Sequence, residues 1–252
     1  MSAVLVVAAV LSCKHKQSVS KNDSHLAALL SPVEFEGFRV VGPISANRVD
    51  QLFREQVKIG SVDPDAYNFL VRDEGQAQKR LQVHTVAEYL EARAAGAYPY
   101  NTFDISMDSF FVRTASALVF LKQSKPAETN FLRLTSLLNL SVSFLDVPDR
   151  EDVVQPAPNN MNSLRLEDYA RSHKIRDVKQ TSPIELRFTN GDMDYDCELV
   201  AGGDFDHDGI QDGLLFVSAM HHEGSGRNYS VYLISRKNQA SETTVQDFAF
   251  WH

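Results

Sequence analysis

The chain has 252 residues, enough for one large domain or two small ones with a sizeable buried core. Its hydrophobic fraction of 43% and charged fraction of 23% are those of an ordinary globular protein and exclude a disordered one. The net charge of −8 argues against a nucleic-acid-binding protein, because the longest basic stretch is KHK at 14–16. The two cysteines, Cys13 and Cys197, make neither a disulfide framework nor a zinc motif.

An apolar run occupies residues 3–11. It is too short to cross a bilayer as a helix, and it has the length of the apolar part of a secretory signal. The stretch VLSC, from Val10 to Cys13, resembles the lipobox of bacterial lipoproteins: an aliphatic residue, a small one, then the cysteine that is lipidated. This resemblance implies a signal peptide at 1–12, lipidation of Cys13 and a flexible tether at 13–30. An ordinary signal peptide and an N-terminal β-strand are the alternatives, since no Lys or Arg precedes the run and valine is common in strands.

The next part of the chain mixes strands and helices. Alternating apolar residues predict strands over 33–42, and helical spacing predicts an amphipathic helix over 45–57 with Ser45 as its cap. Short strands are predicted at 66–72 and 79–83. Thr85 and Glu88 form a capping-box pattern, which predicts a helix that ends near Gly96.

The stretch 106–126 predicts a long helix that ends before Pro126. Its expected buried side consists of Met107, Phe110, Phe111, Leu118 and Leu121.

Residues 146–163 are rich in Pro, Asn and acidic residues, which predicts a loop or linker at 149–163. Helices are predicted on either side of it, at 130–140 and 166–174. The loop would divide an α+β region, 31–148, from a β-rich region, 164–252. One domain over 31–252 is the alternative.

Strand patterns dominate the C-terminal part. They occur at 184–188, 197–205, 213–220 and 229–235, and the turn pair Asn190–Gly191 follows the first. Consecutive strands joined by short turns favour an antiparallel meander. The predicted fold class is therefore α+β, with helices mainly in the N-terminal half and an antiparallel meander in the C-terminal part.

The stretch AGGDFDHDGIQDGLL at 201–215 carries the clearest chemical pattern. Counting Asp204 as position one, Asp206 and Asp208 take positions three and five, Gly209 six, Ile210 seven and Asp212 nine. Ca²⁺ takes six to eight oxygen ligands, and such a loop offers side chains at alternate positions and a backbone carbonyl at position seven. An EF-hand is excluded because position twelve is Leu215 and the predicted flanks are strands.

The spacing D-x-D-x-D-G-x-x-D between two strands resembles the calcium loops of FG-GAP repeats. The resemblance covers about residues 197–236 and implies that Asp204, Asp206, Asp208, Asp212 and the Ile210 carbonyl hold a structural calcium ion. A propeller fold does not carry over, because the chain has one copy and a propeller needs at least four blades. An exposed acidic turn is the alternative.

Other polar residues have simpler interpretations. Asp192, Asp194 and Asp196 would share one face of a strand, which favours an exposed acidic face over a second metal site. His221 and His222 are adjacent, which favours a polar hairpin, and His207 is expected to face solvent.

Two further features also have structural interpretations. Cys197 is expected to be a strand thiol and not a nucleophile. The aromatic residues Tyr98, Tyr100, Phe103, Phe110 and Phe111 favour core packing over a ligand groove.

These observations favour a bacterial cell-envelope lipoprotein, facing the periplasm or held in the outer membrane through a lipid anchor. It would carry one structural calcium ion and bind an unknown protein or envelope polymer without catalysing a reaction. One alternative is an exported hydrolase that uses carboxylates and histidines near the C-terminal sheet. Another is an immunity-type or secretion-accessory lipoprotein.

Overall fold

A computed structural model describes residues 27–63, 67–75, 77–128, 139–140, 165–167, 175–222, 227–237 and 243–248. These described residues form three helices and eleven strands. The helices are α1 (Ala46–Leu52), α2 (Val86–Ala94) and α3 (Thr102–Gln123). The strands are β1 (Ala28–Phe35), β2 (Phe38–Pro43), β3 (Leu70–Glu74), β4 (Ala77–Leu81), β5 (Tyr98–Pro99), β6 (Ile175–Ser182), β7 (Glu185–Asn190), β8 (Met193–Gly203), β9 (Asp212–His221), β10 (Arg227–Ser235) and β11 (Thr244–Asp247). The predicted α+β class, with helices in the N-terminal half, is confirmed.

Both predicted helix caps are present. The Ser45 hydroxyl accepts the Arg48 N–H at the start of α1, and Thr85 and Glu88 form the reciprocal capping box of α2. The first helix ends five residues earlier than Val57, which pairs with Phe35 of β1 in an isolated bridge.

The long helix α3 has one face in the core, but the prediction for Phe110 was wrong. Phe110 is 43% exposed, whereas Phe111 is fully buried against the rings of Tyr67, Phe69 and Tyr89. Adjacent helical residues point about 100° apart, so one of two neighbouring phenylalanines is turned away from the core.

The main sheet has eight strands, and every recorded pairing in it is antiparallel. Strands β6 to β11 follow one another as the predicted meander. The long strand β8 pairs with β9 along one edge. On its other edge its first half pairs with β7 and its last residues with β1, where Ala28 lies opposite Gly202. A smaller sheet has the order β4-β3-β5.

Two hydrophobic clusters lie against the main sheet. The first joins α1, α2 and α3 to residues of β1, β8, β9 and β10, and it includes Leu29, Val200 and Leu233. The second contains Leu186, Cys197 and other residues of β7 to β10. A register shift between Leu199 and Ala201 coincides with the change of β8 from one cluster to the other.

Polar contacts tie the helices to the sheet. Arg113 of α3 donates to both carboxylate oxygens of Glu198 on β8, at 2.8 and 3.0 Å, and to the Ser31 hydroxyl of β1. The buried carboxylate of Asp108 on α3 accepts the hydroxyls of Tyr89 on α2 and Tyr229 on β10. Buried polar groups of this kind need such partners, so these contacts fix how α3 lies on the sheet.

Several predictions fall on residues that the structure does not describe. They are the signal peptide at 1–12, most of the tether at 13–30, the linker at 149–163, and nearly all of the helices at 130–140 and 166–174. Strand β1 begins at Ala28, within the last three residues of the range 13–30.

Candidate metal site

The acidic loop joins the end of β8 at Gly203 to the start of β9 at Asp212. It lies against the residues that follow α3. A Cβ atom on Gly203 would come within 2.8 Å of the Ser124 side chain, so only glycine allows the strand end to approach this closely.

Three carboxylates converge inside this loop. One oxygen each from Asp204, Asp206 and Asp208 can be chosen so that all three lie within 4.8 Å of one another. The loop is curled by its own hydrogen bonds, in which the N–H groups of Gly209, Asp208 and Ile210 donate to the carboxylates of Asp204, Asp206 and Asp208 in turn. Gly209 has φ +88°, which the sharp turn at position six requires. Three of the five predicted ligands are therefore brought together, and this group could hold a metal ion.

The charges within the loop favour a cation at its centre. At this separation the repulsion between two like charges is about 1 kcal/mol at the dielectric constant of water. It is about 3.5 kcal/mol at the effective dielectric constant near a protein surface. Burial, followed by the negative charges of Asp208 and Asp204, raises the pKa of Asp206. A bound cation would remove this repulsion.

One carboxylate oxygen in the loop has no partner. Asp204 is 4% exposed; its Oδ2 accepts the Gly209 N–H, whereas its Oδ1 is buried with no hydrogen bond. The Oε1 atom of Gln211, in a side chain that is 3% exposed, is also buried without a partner. Both atoms can only accept, and burial of an unpaired acceptor costs about 1–3 kcal/mol. A cation among the three aspartates would satisfy the Asp204 oxygen, so these three residues fit a metal ion.

The other two predicted ligands hold different positions. Asp212 is 1% exposed and lies outside the group of three, and its Oδ2 accepts the N–H groups of Phe205 and Asp206 at 2.7 and 3.2 Å. The pKa of the Asp212 carboxyl is raised to about 7, and burial is the largest cause. The two backbone N–H donors lower this pKa, whereas the negative charges of Asp206 and Asp208 raise it further. The Ile210 side chain packs on the second cluster, and its N–H donates to Asp208. Asp212 thus organises the first turn of the loop.

The loop is fastened to the chain that leaves α3. Asp204 and Lys125 exchange both backbone hydrogen bonds at 2.9 Å, and the Glu128 N–H donates to the Gly209 carbonyl at 2.8 Å. His207 is exposed, as predicted, and its Nε2 also lies 2.9 Å from the Gln123 carbonyl oxygen at the helix end. Local spacing could not reveal these contacts, because the partners are about 80 residues apart in sequence.

Asp194 and Asp196 lie on the exposed face of β8 as predicted, whereas Asp192 is exposed in the turn before this strand. Asp194 accepts Thr189 Oγ1 and His222 Nε2, each at 2.8 Å, and Asp196 pairs with Arg187. Among the described residues, Asp204, Asp206 and Asp208 are the one group of three such ligands close enough for a metal. The His222–Asp194 pair is open to solvent, with side chains 38% and 51% exposed.

The remaining candidates also have structural roles. Cys197 is buried, and burial raises the pKa of its thiol far above the ordinary value, so it is not a nucleophile. Phe111 packs in the core as expected, whereas Tyr100 and Phe103 are 60% and 58% exposed and do not.

The fold and the loop define an α+β protein with one carboxylate cluster able to hold a metal ion. No model of a known protein family, no curated protein and no solved structure matches the chain. None of the helices within the described residues is long and apolar enough to cross a membrane.

Proposed function

We propose that this protein binds one calcium ion in the loop 204–212 and that the ion has a structural role. The observation that carries the proposal is the convergence of Asp204, Asp206 and Asp208 around a buried Asp204 oxygen that has no hydrogen-bond partner. By the resemblance to FG-GAP loops, the Ile210 carbonyl and Asp212 would be further ligands, Asp212 through its second oxygen or through a water.

The type of ligand favours calcium over other metals. The cluster offers carboxylate oxygens only, whereas zinc and copper sites in proteins use His or Cys. Magnesium requires near-ideal octahedral geometry and keeps several waters, so it is seldom held by an all-protein site. A loop with three alternating aspartates suits the larger and more tolerant Ca²⁺.

A structural role follows from where the loop lies. It links two neighbouring strands of the sheet and is hydrogen-bonded to the chain leaving α3, so an ion there would hold helix and sheet together. The His222–Asp194 pair lies at the opposite end of β8 and β9, beside Met193 and His221. An ion in the loop is therefore remote from that pair.

The calcium assignment is tested by thermal unfolding. At ten times its Kd, calcium should stabilise the folded protein by about 1.4 kcal/mol and raise Tm by a few degrees. Asp208→Ala should remove this rise. Asp192→Ala, which deletes an exposed carboxylate in the β7–β8 turn, should keep it. An equal rise in Asp208→Ala and wild type would refute the site.

We further propose that the protein is exported and anchored by lipid at Cys13 in a bacterial cell envelope, facing the periplasm or in the outer membrane. The lipobox-like VLSC supports this, and so does the loop, since calcium sites with Kd on the order of 10⁻⁴–10⁻³ M are useful only outside the cytoplasm. Labelling with a palmitate analogue should succeed in the wild type and fail in Cys13→Ser. A mature N-terminus other than residue 13 would contradict the anchor.

In that setting the protein would act as a non-enzymatic binding or accessory module for another protein or an envelope polymer. Retention of a partner by the folded domain, compared with and without calcium, is the measurement. A partner that binds equally to wild type and to Asp208→Ala would show that the ion has no part in binding.

An exported hydrolase is the second candidate, favoured by the contact of His222 with Asp194. The neighbouring hydroxyl, Thr189, donates to Asp194 and not to His222, so the imidazole does not activate it as a nucleophile. Hydrolysis of p-nitrophenyl acetate that disappears in His222→Ala would favour this candidate over the first.

A further inference from the structure

The loop lacks a carboxylate at position twelve, where the twelve-residue calcium loop of an EF-hand, a different loop, has a bidentate glutamate. Position twelve is Leu215, which is fully buried in the second cluster. One oxygen from each of three aspartates supplies at most half of the six to eight that calcium takes. Because Asp212 Oδ2 already accepts two backbone N–H groups, the loop alone is short of ligands.

A carboxylate from outside the loop lies beside it. The Glu128 N–H donates to the Gly209 carbonyl, and this bond, together with the Lys125–Asp204 pair, holds residues 125–128 along the loop. The Cδ and Oε2 atoms of Glu128 lie 3.6 Å from the point where a Cβ atom on Gly209 would be. This carboxylate therefore lies beside position six of the loop.

We propose that Glu128 is an additional calcium ligand, which reaches the ion from the chain after α3 and takes the part of the missing position-twelve carboxylate. This inference rests on the calcium site proposed above. Within the described residues the Glu128 carboxylate has no hydrogen bond or ion pair, and the residue is exposed. It stands outside the group of three aspartates, so it joins them by a change of side-chain rotamer.

Electrostatics favour this arrangement when a divalent cation is present. A fourth negative group beside three others is unfavourable by itself, yet a fourth anionic ligand strengthens the binding of Ca²⁺, since affinity rises with the charge of the ligand set. Among the residues that the structure describes, no cation pairs with the Glu128 carboxylate and competes with the metal. The site would then be built from two parts of the chain, the β8–β9 loop and the end of α3.

The test is isothermal titration of the full chain with calcium chloride. Glu128→Gln should bind at least about tenfold more weakly than the wild type. Glu91→Gln, which removes an exposed carboxylate from α2 and so makes the same change in net charge, should bind within twofold of the wild type. Equal Tm values for the three proteins in EGTA would show that Glu128→Gln leaves the fold intact.

A second salt concentration separates ligation from a remote charge effect. The Debye length falls from about 10 Å at 0.1 M to about 4 Å at 0.5 M, so a through-space effect shrinks with salt whereas the loss of a ligand persists. Wild-type affinity in Glu128→Gln, or a difference that vanishes at 0.5 M potassium chloride, would overturn the Glu128 assignment and leave the loop site standing. Absence of calcium binding in the wild type would overturn both.

Discussion

The neighbouring residues Phe110 and Phe111 allow the packing of α3 to be tested by two identical substitutions. Phe111 is fully buried, with ring centroids 5.2 Å from both Phe69 and Tyr89, whereas Phe110 is 43% exposed. Helical spacing alone placed both on the buried side. Replacing each by alanine therefore asks whether the sequence pattern or the structure gives the true environment.

The two expected costs differ several-fold. Truncation of a fully buried phenylalanine removes about 2.5 kcal/mol of transfer free energy and leaves a cavity, so Phe111→Ala should lower the free energy of unfolding by about 4 kcal/mol. Phe110 is a little over half buried, and water fills the space it leaves. Its transfer loss of about 1.4 kcal/mol is offset by about 0.5 kcal/mol from the better helix propensity of alanine, for a net cost of about 1 kcal/mol.

Equilibrium unfolding in urea at fixed calcium measures both values. With an m-value of about 3 kcal/mol/M, the two variants should differ by about 1 M in their unfolding midpoints. Midpoints within 0.3 M of each other, or a lower midpoint for Phe110→Ala, would refute the packing of α3 described above.

Three further outcomes are expected. Thr85→Ala should lower the free energy of unfolding by about 1 kcal/mol because it removes the capping box of α2. Thr85→Ser keeps the hydroxyl and should retain most of that stability. Equal stability of the alanine variant and the wild type would contradict the cap. Burial raises the pKa of Asp108, so the folded state binds the proton of this carboxyl more tightly than the unfolded state does. The stabilisation that results is complete below about pH 4 and is lost as the pH rises through the pKa of the folded state. Asp108→Asn should remove that fall from the pH profile of unfolding, and an unchanged profile would contradict it. In a Cys13→Ser variant, Cys197 should react with a thiol reagent only after unfolding, and rapid labelling of the folded protein would contradict its burial.

Features set by neighbouring residues could be predicted from the sequence. The capping box at Thr85 needs only Glu88 three positions later, and the acidic loop needs only its own aspartates and Gly209. In both cases the bonds that form the structure lie within a few residues, so spacing carries nearly all the information.

Features set by distant residues could not be predicted in this way. Strand β6 is exposed at most positions and shows no apolar alternation, so the pattern did not reveal it. Nothing near Asp204 in sequence indicates Lys125 or Glu128, and nothing near Phe110 shows which side of α3 meets the sheet. Tertiary packing determines these features, and the local sequence pattern predicts tertiary packing poorly.

The pairing of β1 with β8 also has a consequence for synthesis of the protein. Ala28 is made early, but its partner Gly202 follows only after most of the chain, and the first cluster also needs Leu233. At about 5–20 residues per second, translation takes roughly ten to thirty-five seconds to supply the missing strand. During that interval strands β8, β9 and β10 are missing, so the part of the apolar side of α3 that packs on them has no partner. The contact of α3 with the main sheet is therefore completed only after most of the chain has been made.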